Sequence, residues 1–393
     1  MISKSIIAEI ARDQREGFLK KRCIKRSITV PVSSKRIVIV SGIRRCGKST
    51  LVRQSFLGDD TAIYINFEDP RLVSFELSDF IRLEELMQEG GKTHLLLDEV
   101  QNVDQWEVYA RSAHEKGIAL VITGSNASLL SRELGTKLTG RYSQIELFPF
   151  SFTEFLSYFE LKRSKESFEK YFQMGGFPEY LEENDYDYHR LLLRDIVTRD
   201  IALRRHITNE NQLMRLAVHL LSNIGKQFSY NKISKLLEIK SVRTVIDYCD
   251  FLSESYLMEY IPMYSTSIRK QIANAKKAYS IDPAFAKANS ISFSQDLGRR
   301  LENFVYLKLR RDHKEIYYFK NQSSECDFLL KENEKVTGLV QVCWELNNDN
   351  QQRELSGIKN ALAETNAEKG IIITSNQEDI LDGIPLIPAW KWM

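Results

Sequence analysis

The sequence predicts an α/β protein built on a parallel sheet, with helical segments and a second, smaller sheet after it. Three observations predict it. Apolar runs at 37–40, 62–67, 94–97 and 118–122 recur with helix-compatible stretches between them, the pattern of strands buried on both faces of a sheet. Gly42-Ile43-Arg44-Arg45-Cys46-Gly47-Lys48-Ser49 follows the first run directly and matches the phosphate-binding pattern G-x-x-x-x-G-K-[ST]. The third run ends in the acidic pair Asp98-Glu99, at the edge where parallel sheets bind ligands.

The 393 residues suffice for two or three domains with their own cores. A net charge of +2 supplies no global field for nucleic acid, so any such contact needs a local patch. The cysteines form no C-x-x-C pair, which points to neither a zinc site nor a disulfide framework and fits a reducing compartment. Charged residues follow Met1 closely, and no apolar run approaches membrane-spanning length. A cytoplasmic protein without membrane contact is expected.

Residues 5–26 read as a helix with Ile6, Ile7, Ile10 and Phe18 on one side and Arg22, Lys25 and Arg26 on a solvated face. After the glycine-rich stretch, 49–56 lacks Gly and Pro and places Leu51, Val52 and Phe56 at helical spacing. Strand, turn and helix start therefore come in the order a P-loop needs. In such a loop, glycines let backbone N–H groups close around phosphate oxygens, and the helix N-terminus adds partial positive charge. Gly42, Ile43, Arg44, Arg45, Cys46, Gly47, Lys48, Ser49 and Thr50 are the expected ATP-binding residues. Lys48 is expected at the β- and γ-phosphates and Ser49 on Mg²⁺.

The second strand, 62–67, is followed by a helix over 79–89 that Gly90-Gly91 stops. The third ends at Asp98, expected to hold Mg²⁺, and Glu99, expected to polarise the attacking water; two solvent-facing acids are the structural alternative. A helix over 104–115 leads to the strand 118–126. Its terminal Ser125 or Asn126 is placed to sense the γ-phosphate, with Asn126 a candidate catalytic residue and a simple turn the alternative. Residues 144–147 make a fifth strand.

Gly42-x-Arg44-Arg45-x-Gly47-Lys48-Ser49, Leu96-Leu97-Asp98-Glu99, Thr123-Gly124-Ser125 and Gly140-Arg141 together resemble a group of bacterial and archaeal AAA-like P-loop ATPases. Phe148-Pro149-Phe150-Ser151-Phe152 and Gly175-Gly176-Phe177-Pro178-Glu179 extend the likeness over nearly the whole chain. The resemblance implies an AAA-type core, ATP binding and hydrolysis with Mg²⁺, and a C-terminal domain of unknown function. It also implies that Arg141 serves as an arginine finger, stabilising charge on the transferring phosphoryl group, with a local salt bridge as the alternative. A finger acting in trans would require a homo-oligomer.

Residues 151–158 and 166–173 read as helices of a small lid, broken at Gly175-Gly176-Phe177-Pro178 by a plain turn. Residues 186–206 read as one charged helix, solvated or between domains. Residues 211–264 fit a winged helix: a helix over 213–222, a second capped by Ser229, a third over 242–252 capped by Ser241, and a wing strand over 256–261. Arg243, Thr244 and Asp247 would face outward from the third helix. Lys232, Lys235 and Lys240, with Arg269, Lys270, Lys276 and Lys277 in the wing, would give a basic patch for DNA phosphates; use of the same surface in protein packing is the equal alternative.

From Gly298 the order of elements resembles the PD-(D/E)XK nuclease core. Glu302 on a helix, Asp327 on a strand and Gln341 on the next match its Mg²⁺-binding set. Cys343 stands where that core carries lysine, and a neutral thiol neither orients water nor stabilises a phosphorane. A binding or regulatory module without nuclease activity is expected. The strand 370–374 would close the sheet, leaving Pro385, Pro388, Trp390 and Trp392 in a packed tail. The expected division is an AAA-like core at 1–150, lid and linker at 151–210, winged helix at 211–285 and nuclease-like domain at 286–393. The expected function is Mg²⁺-dependent ATP hydrolysis that moves the C-terminal modules, with an unidentified protein partner as the acceptor of that motion. The alternative is a DNA-binding or nuclease-like effector for which ATP is only a switch.

Overall fold

In the computed structural model, which describes every residue except 20–22, 32–34, 57, 59, 125–139 and 292–295 and the side chains of 18 and 19, the apolar runs become strands. These are β1 (Ile37–Ser41), β2 (Ala62–Asn66), β3 (His94–Asp98) and β4 (Ala119–Gly124), joined by β5 (Tyr142–Glu146). All pair in parallel, in the order β2-β3-β4-β1-β5. Parallel pairing requires crossovers, and helices α2 (Lys48–Ser55), α3 (Phe80–Glu89) and α4 (Trp106–Glu115) provide three of them. Every residue of β1 and β4 is buried, as for strands covered on both faces. Ile37, Ile39, Ile65, Leu95, Leu97 and Ile122 share one core with Phe80, Leu83, Trp106 and the Ile7 and Ile10 of helix α1 (Lys4–Leu19). These residues fall in the unit Met1–Phe148; the second unit is Pro149–Met393.

Helix α1 is shorter than its sequence pattern. Residues 23–26 are irregular, and Arg26 does not lie on a solvated face. It is buried, and its guanidinium donates to the carbonyls of Cys46 at 3.0 Å and Phe148 at 2.7 Å. A planar fork of fixed donors satisfies carbonyls that a solvated helix face would have left to water.

The second unit begins with helices. Phe152–Phe159 and Lys165–Met174 each start at a capping box, Ser151 with Glu154 and Ser164 with Ser167. Gly175-Gly176 between them and Pro178–Glu183 is more than a turn. The Gly176 N–H donates to Asp282 at 2.7 Å, and a Cβ on Gly176 would meet the Phe150 carbonyl oxygen at 2.3 Å. Only glycine permits that approach.

The span expected as one solvated helix is an α-helix over Tyr188–Asp195 that continues as a π-helix over Ile196–Leu203. His189, Val197, Asp200 and Ile201 on it are buried. Its charge pattern hid an apolar face, because the wider π turn changes which residues share a side.

Helices Glu210–Leu221, Tyr230–Leu236 and Val242–Glu254 follow, the last two capped by Ser229 and Ser241 as the sequence requires. Next comes a three-stranded antiparallel sheet of β6 (Gln227–Phe228), β8 (Lys276–Ser280) and β7 (Met258–Pro262), in that order. The six-stranded sheet has the order β13-β14-β12-β11-β10-β9, comprising β9 (Glu315–Lys320), β10 (Glu325–Glu332), β11 (Lys335–Val342), β12 (Gly370–Thr374), β13 (Asp379–Leu381) and β14 (Ile384–Pro388). Helix Leu297–Asp312 precedes it, and helix Gln351–Thr365 crosses between β11 and β12. β12 therefore lies inside the sheet. The segment read as a tail supplies β14, parallel to β12 with Ile372 opposite Leu386. Pro385 and Pro388 disguised this strand because proline removes a ladder donor.

Candidate functional site

Parallel strands bring Ser41, Asn66, Asp98 and Gly124 to one sheet edge, and the loop at 42–47 caps that edge. The loop needs its glycines. Gly42 has φ 156°, and a Cβ there would sit 2.2 Å from the Leu147 carbonyl oxygen. Gly47, with φ 98°, is the left-handed residue that starts α2. Arg45 also lies at positive φ and is exposed. Cys46 is buried, which pushes its thiol pKa up, and its carbonyl holds Arg26. Thr50 is half-buried on α2.

Lys48 is 4% exposed. Its ammonium donates to the carbonyls of Gly42 and Ile43, each at 3.1 Å, and lies 3.9 Å from a Glu99 oxygen. Arg44 lies 3.6 Å from Glu68, just beyond the end of β2. Burial and the charge of Glu99 push the Glu68 pKa up.

Asp98 is fully buried. Tyr64 of β2 donates to one carboxylate oxygen and Thr123 of β4 to the other, and the Ser49 side chain hydrogen-bonds to it as well. Burial first, and then Glu99, push its pKa up, while these three donors pull the other way by favouring the ionised form. Arg53 of α2 donates to the Tyr64 hydroxyl at 2.8 Å and stacks over the ring at 4.2 Å. The phenol oxygen thus accepts from a cation while its O–H donates to Asp98.

Glu99 sits in the left-handed region at φ 50°, ψ 43°, unusual for a residue with a side chain. Its N–H donates to Thr123 Oγ1 at 3.1 Å, and its carboxylate accepts from Gln101 Nε2. Thr123 thereby ties both acids together.

Lys48, Ser49, Asp98 and Glu99 thus meet. Arg141 does not join them. Its carbonyl accepts from Ile37 N–H at the start of β1, and its guanidinium pairs with Glu115 at 2.9 Å. The strand start and the loop at its end are separated by four residue steps, roughly 13 Å of strand. The Arg141 ion pair therefore lies at the opposite end of β1 from the loop at 42–47. Ser125 and Asn126 lie outside the described residues. Sequence reasoning missed Tyr64, Thr123, Gln101 and Arg53. Thr123, at the end of β4, carried a signal in its position beside the acidic strand.

A second polar cluster occupies the other unit. Glu302 and Asp327 do come together, but around Lys277 of β8 rather than around an open site. Lys277 is 2% exposed, which removes it from the basic patch the sequence drew. Lys276 is half-buried and donates to Tyr230 at 3.0 Å. Gln341 is spent on protein partners: its carbonyl oxygen accepts from Asp327 N–H at 3.1 Å, and its amide donates to Glu354 at 2.5 Å. Among the described residues no group of three His, Cys, Asp or Glu side chains is arranged to hold a metal ion, and no helix is long and apolar enough to cross a membrane.

Residues 34–156 match the family model described as an AAA domain, and 165–295 match one described as a domain of unknown function. An uncharacterized protein of Methanocaldococcus jannaschii is 31% identical over all of this chain and 96% of its own length. An uncharacterized protein of Haemophilus influenzae is 28% identical over 91% of this chain and 94% of its own length. Among solved structures, Cdc6p from Pyrobaculum aerophilum aligns over 65% of this chain and 87% of that one, at 16% identity and a TM-score of 0.28, a likeness too slight to carry inference.

Proposed function

This chain belongs to one family with the Methanocaldococcus protein, with an AAA-type ATPase domain at 34–156, and from that premise we propose that it binds ATP with Mg²⁺ at 42–50, Asp98 and Glu99, hydrolyses it, and uses the cycle to move its C-terminal modules. The observation that carries this reading is the meeting of Lys48, Ser49, Asp98 and Glu99 at one sheet edge. Ser49 and Asp98 offer the hard oxygen donors that suit Mg²⁺. When bound, the ion neutralises charge on the β- and γ-phosphate oxygens.

The chain's own residues do the rest. Lys48 exchanges the carbonyls of Gly42 and Ile43 for phosphate oxygens. The loop N–H groups and the start of α2 bind the phosphates. Glu99 orients the attacking water and takes its proton, with Gln101 and Thr123 setting its direction. Arg141 acts as an arginine finger on the site of a neighbouring copy. Residues 151–210 serve as lid and linker, 211–285 as a winged helix and 286–393 as a nuclease-like module without cleavage; this division is part of the proposal.

Glu99→Gln tests the reading. ATP binding should persist while turnover falls roughly 10²-fold or more, the loss expected of a positioned base. Turnover at the wild-type rate would leave Glu99 a strand-end acid. A second reading, DNA binding through the winged helix with ATP as a switch, draws on the exposure of Lys232, Lys235, Lys240, Arg243, Arg269 and Lys270. Salt-sensitive DNA binding without nucleotide would favour it.

A further inference from the structure

We infer that Lys277 is the built-in cation of the acidic cluster beside the six-stranded sheet, standing where a divalent ion would stand, so that this module holds no metal and cleaves no nucleic acid. The ammonium lies 2.8 Å from an Asp327 oxygen, 3.0 Å from a Glu325 oxygen and 3.1 Å from a Glu302 oxygen. Those are N–H···O distances, and three acceptors match the three protons an ammonium carries. Mg²⁺ keeps several waters and needs only one or two carboxylates, so the acids alone could hold it; the ammonium already between them is what keeps it out.

Other groups share the same carboxylates. Glu302 Oε1 also accepts from the Tyr279 hydroxyl at 2.7 Å, and the second Asp327 oxygen accepts from Val342 N–H at 3.0 Å. Glu325 accepts from Gln227 at 2.7 Å and lies 3.5 Å from Lys320. Gly225 closes over Glu302, where a Cβ would come within 2.9 Å of the carboxylate. Burial alone would disfavour the Lys277 ammonium, but Asp327, Glu302 and Glu325 more than reverse that effect and hold it charged.

The lysine and the acids come from different elements. Lys277 lies on β8 of the three-stranded sheet, Glu302 on the helix Leu297–Asp312, and Asp327 and Glu325 on β10. An ion would have been exchangeable, whereas a side chain is not. The cluster therefore ties the small sheet permanently to the larger one and excludes a phosphodiester from the acids. The absence of lysine at 343 fits this arrangement, because no hydrolytic water needs orienting.

The test uses the full-length chain without nucleotide and reads free Mn²⁺ by electron paramagnetic resonance. The wild-type chain should leave the free Mn²⁺ signal unchanged at sub-millimolar concentrations, and Asp327→Asn should make no difference. Lys277→Met should take up Mn²⁺, and Lys277→Met/Asp327→Asn should lose it again. Wild-type Mn²⁺ uptake that Asp327→Asn abolishes would overturn the inference, and that comparison stands even if Lys277→Met fails to fold. A folded Lys277→Met chain that takes up no Mn²⁺ would also overturn it. So would Mn²⁺-dependent DNA or RNA cleavage by the wild type that both Asp327→Asn and Lys277→Met abolish, since Lys277 would then be the lysine of a working nuclease.

Discussion

Tyr64→Phe removes one oxygen from the wall of the nucleotide site and nothing else. The ring stays beneath Arg53, which stacks over it at 4.2 Å, so the packing of β2 against α2 survives. What is lost is the hydrogen bond to buried Asp98 and the acceptor for Arg53. A hydrogen bond to a charged group is worth about 1.5–3 kcal/mol. At about 1.4 kcal/mol per decade this is roughly 10- to 100-fold in an equilibrium constant, the range expected for groups that orient a metal ligand. Thr123 still holds the other oxygen, which points to the lower end, near ten-fold. Mn²⁺ binding in the presence of ADP, followed by electron paramagnetic resonance, should weaken by that factor, and the Mg²⁺ concentration for half-maximal turnover should rise with it. Thermal unfolding of the nucleotide-free chain separates this from loss of fold. Mn²⁺ affinity and Mg²⁺ dependence both within two-fold of wild type would refute the claim that Tyr64 orients Asp98.

Arg141→Ala should cost the isolated chain no more than about 1 kcal/mol, because its exposed pair with Glu115 contributes little. If Arg141 serves a neighbouring copy, turnover should rise more than linearly with protein concentration, and mixing Arg141→Ala with Lys48→Ala chains should restore activity; linear dependence without rescue would refute that role. His189 is buried among Phe177, Tyr180, Tyr188 and Phe285, and neither ring nitrogen has a hydrogen-bond partner among the described residues. Burial lowers its pKa, so below about 6.5 the unfolded chain takes up a proton that the folded chain refuses, and stability falls as pH falls. Urea unfolding of His189→Phe should lose less stability between pH 7 and pH 5 than the wild type, and equal slopes would refute the assignment.

The shape of the loop at 42–47 was legible because its pattern encodes local backbone geometry: Gly42 and Gly47 are needed where they stand, and strand and helix flank them in sequence. The position of Asp98 and Glu99 at the end of β3 was legible for the same reason, as the end of an apolar run. Tyr64 was not, because its role depends on β2 lying beside β3, which no local pattern states. Lys277 misled more directly. Adjacent lysines in a presumed wing look solvated, and only the fold brings Asp327, 50 positions later in the chain, within hydrogen-bonding reach. The π-helix over Ile196–Leu203 and the proline-bearing β14 escaped notice because each departs from the periodicity that identifies regular elements.

Calorimetric titration of Mg²⁺·ATP into the wild-type chain and into Lys48→Ala addresses the nucleotide site most directly. Lys48 is buried between the loop carbonyls and Glu99, and its ammonium is the group proposed to meet the β- and γ-phosphates. The wild type should bind tightly, and Lys48→Ala, still folded, should show no measurable heat at the same concentrations. Equal affinity in the two chains would contradict the assignment of 42–50 as the ATP-binding loop.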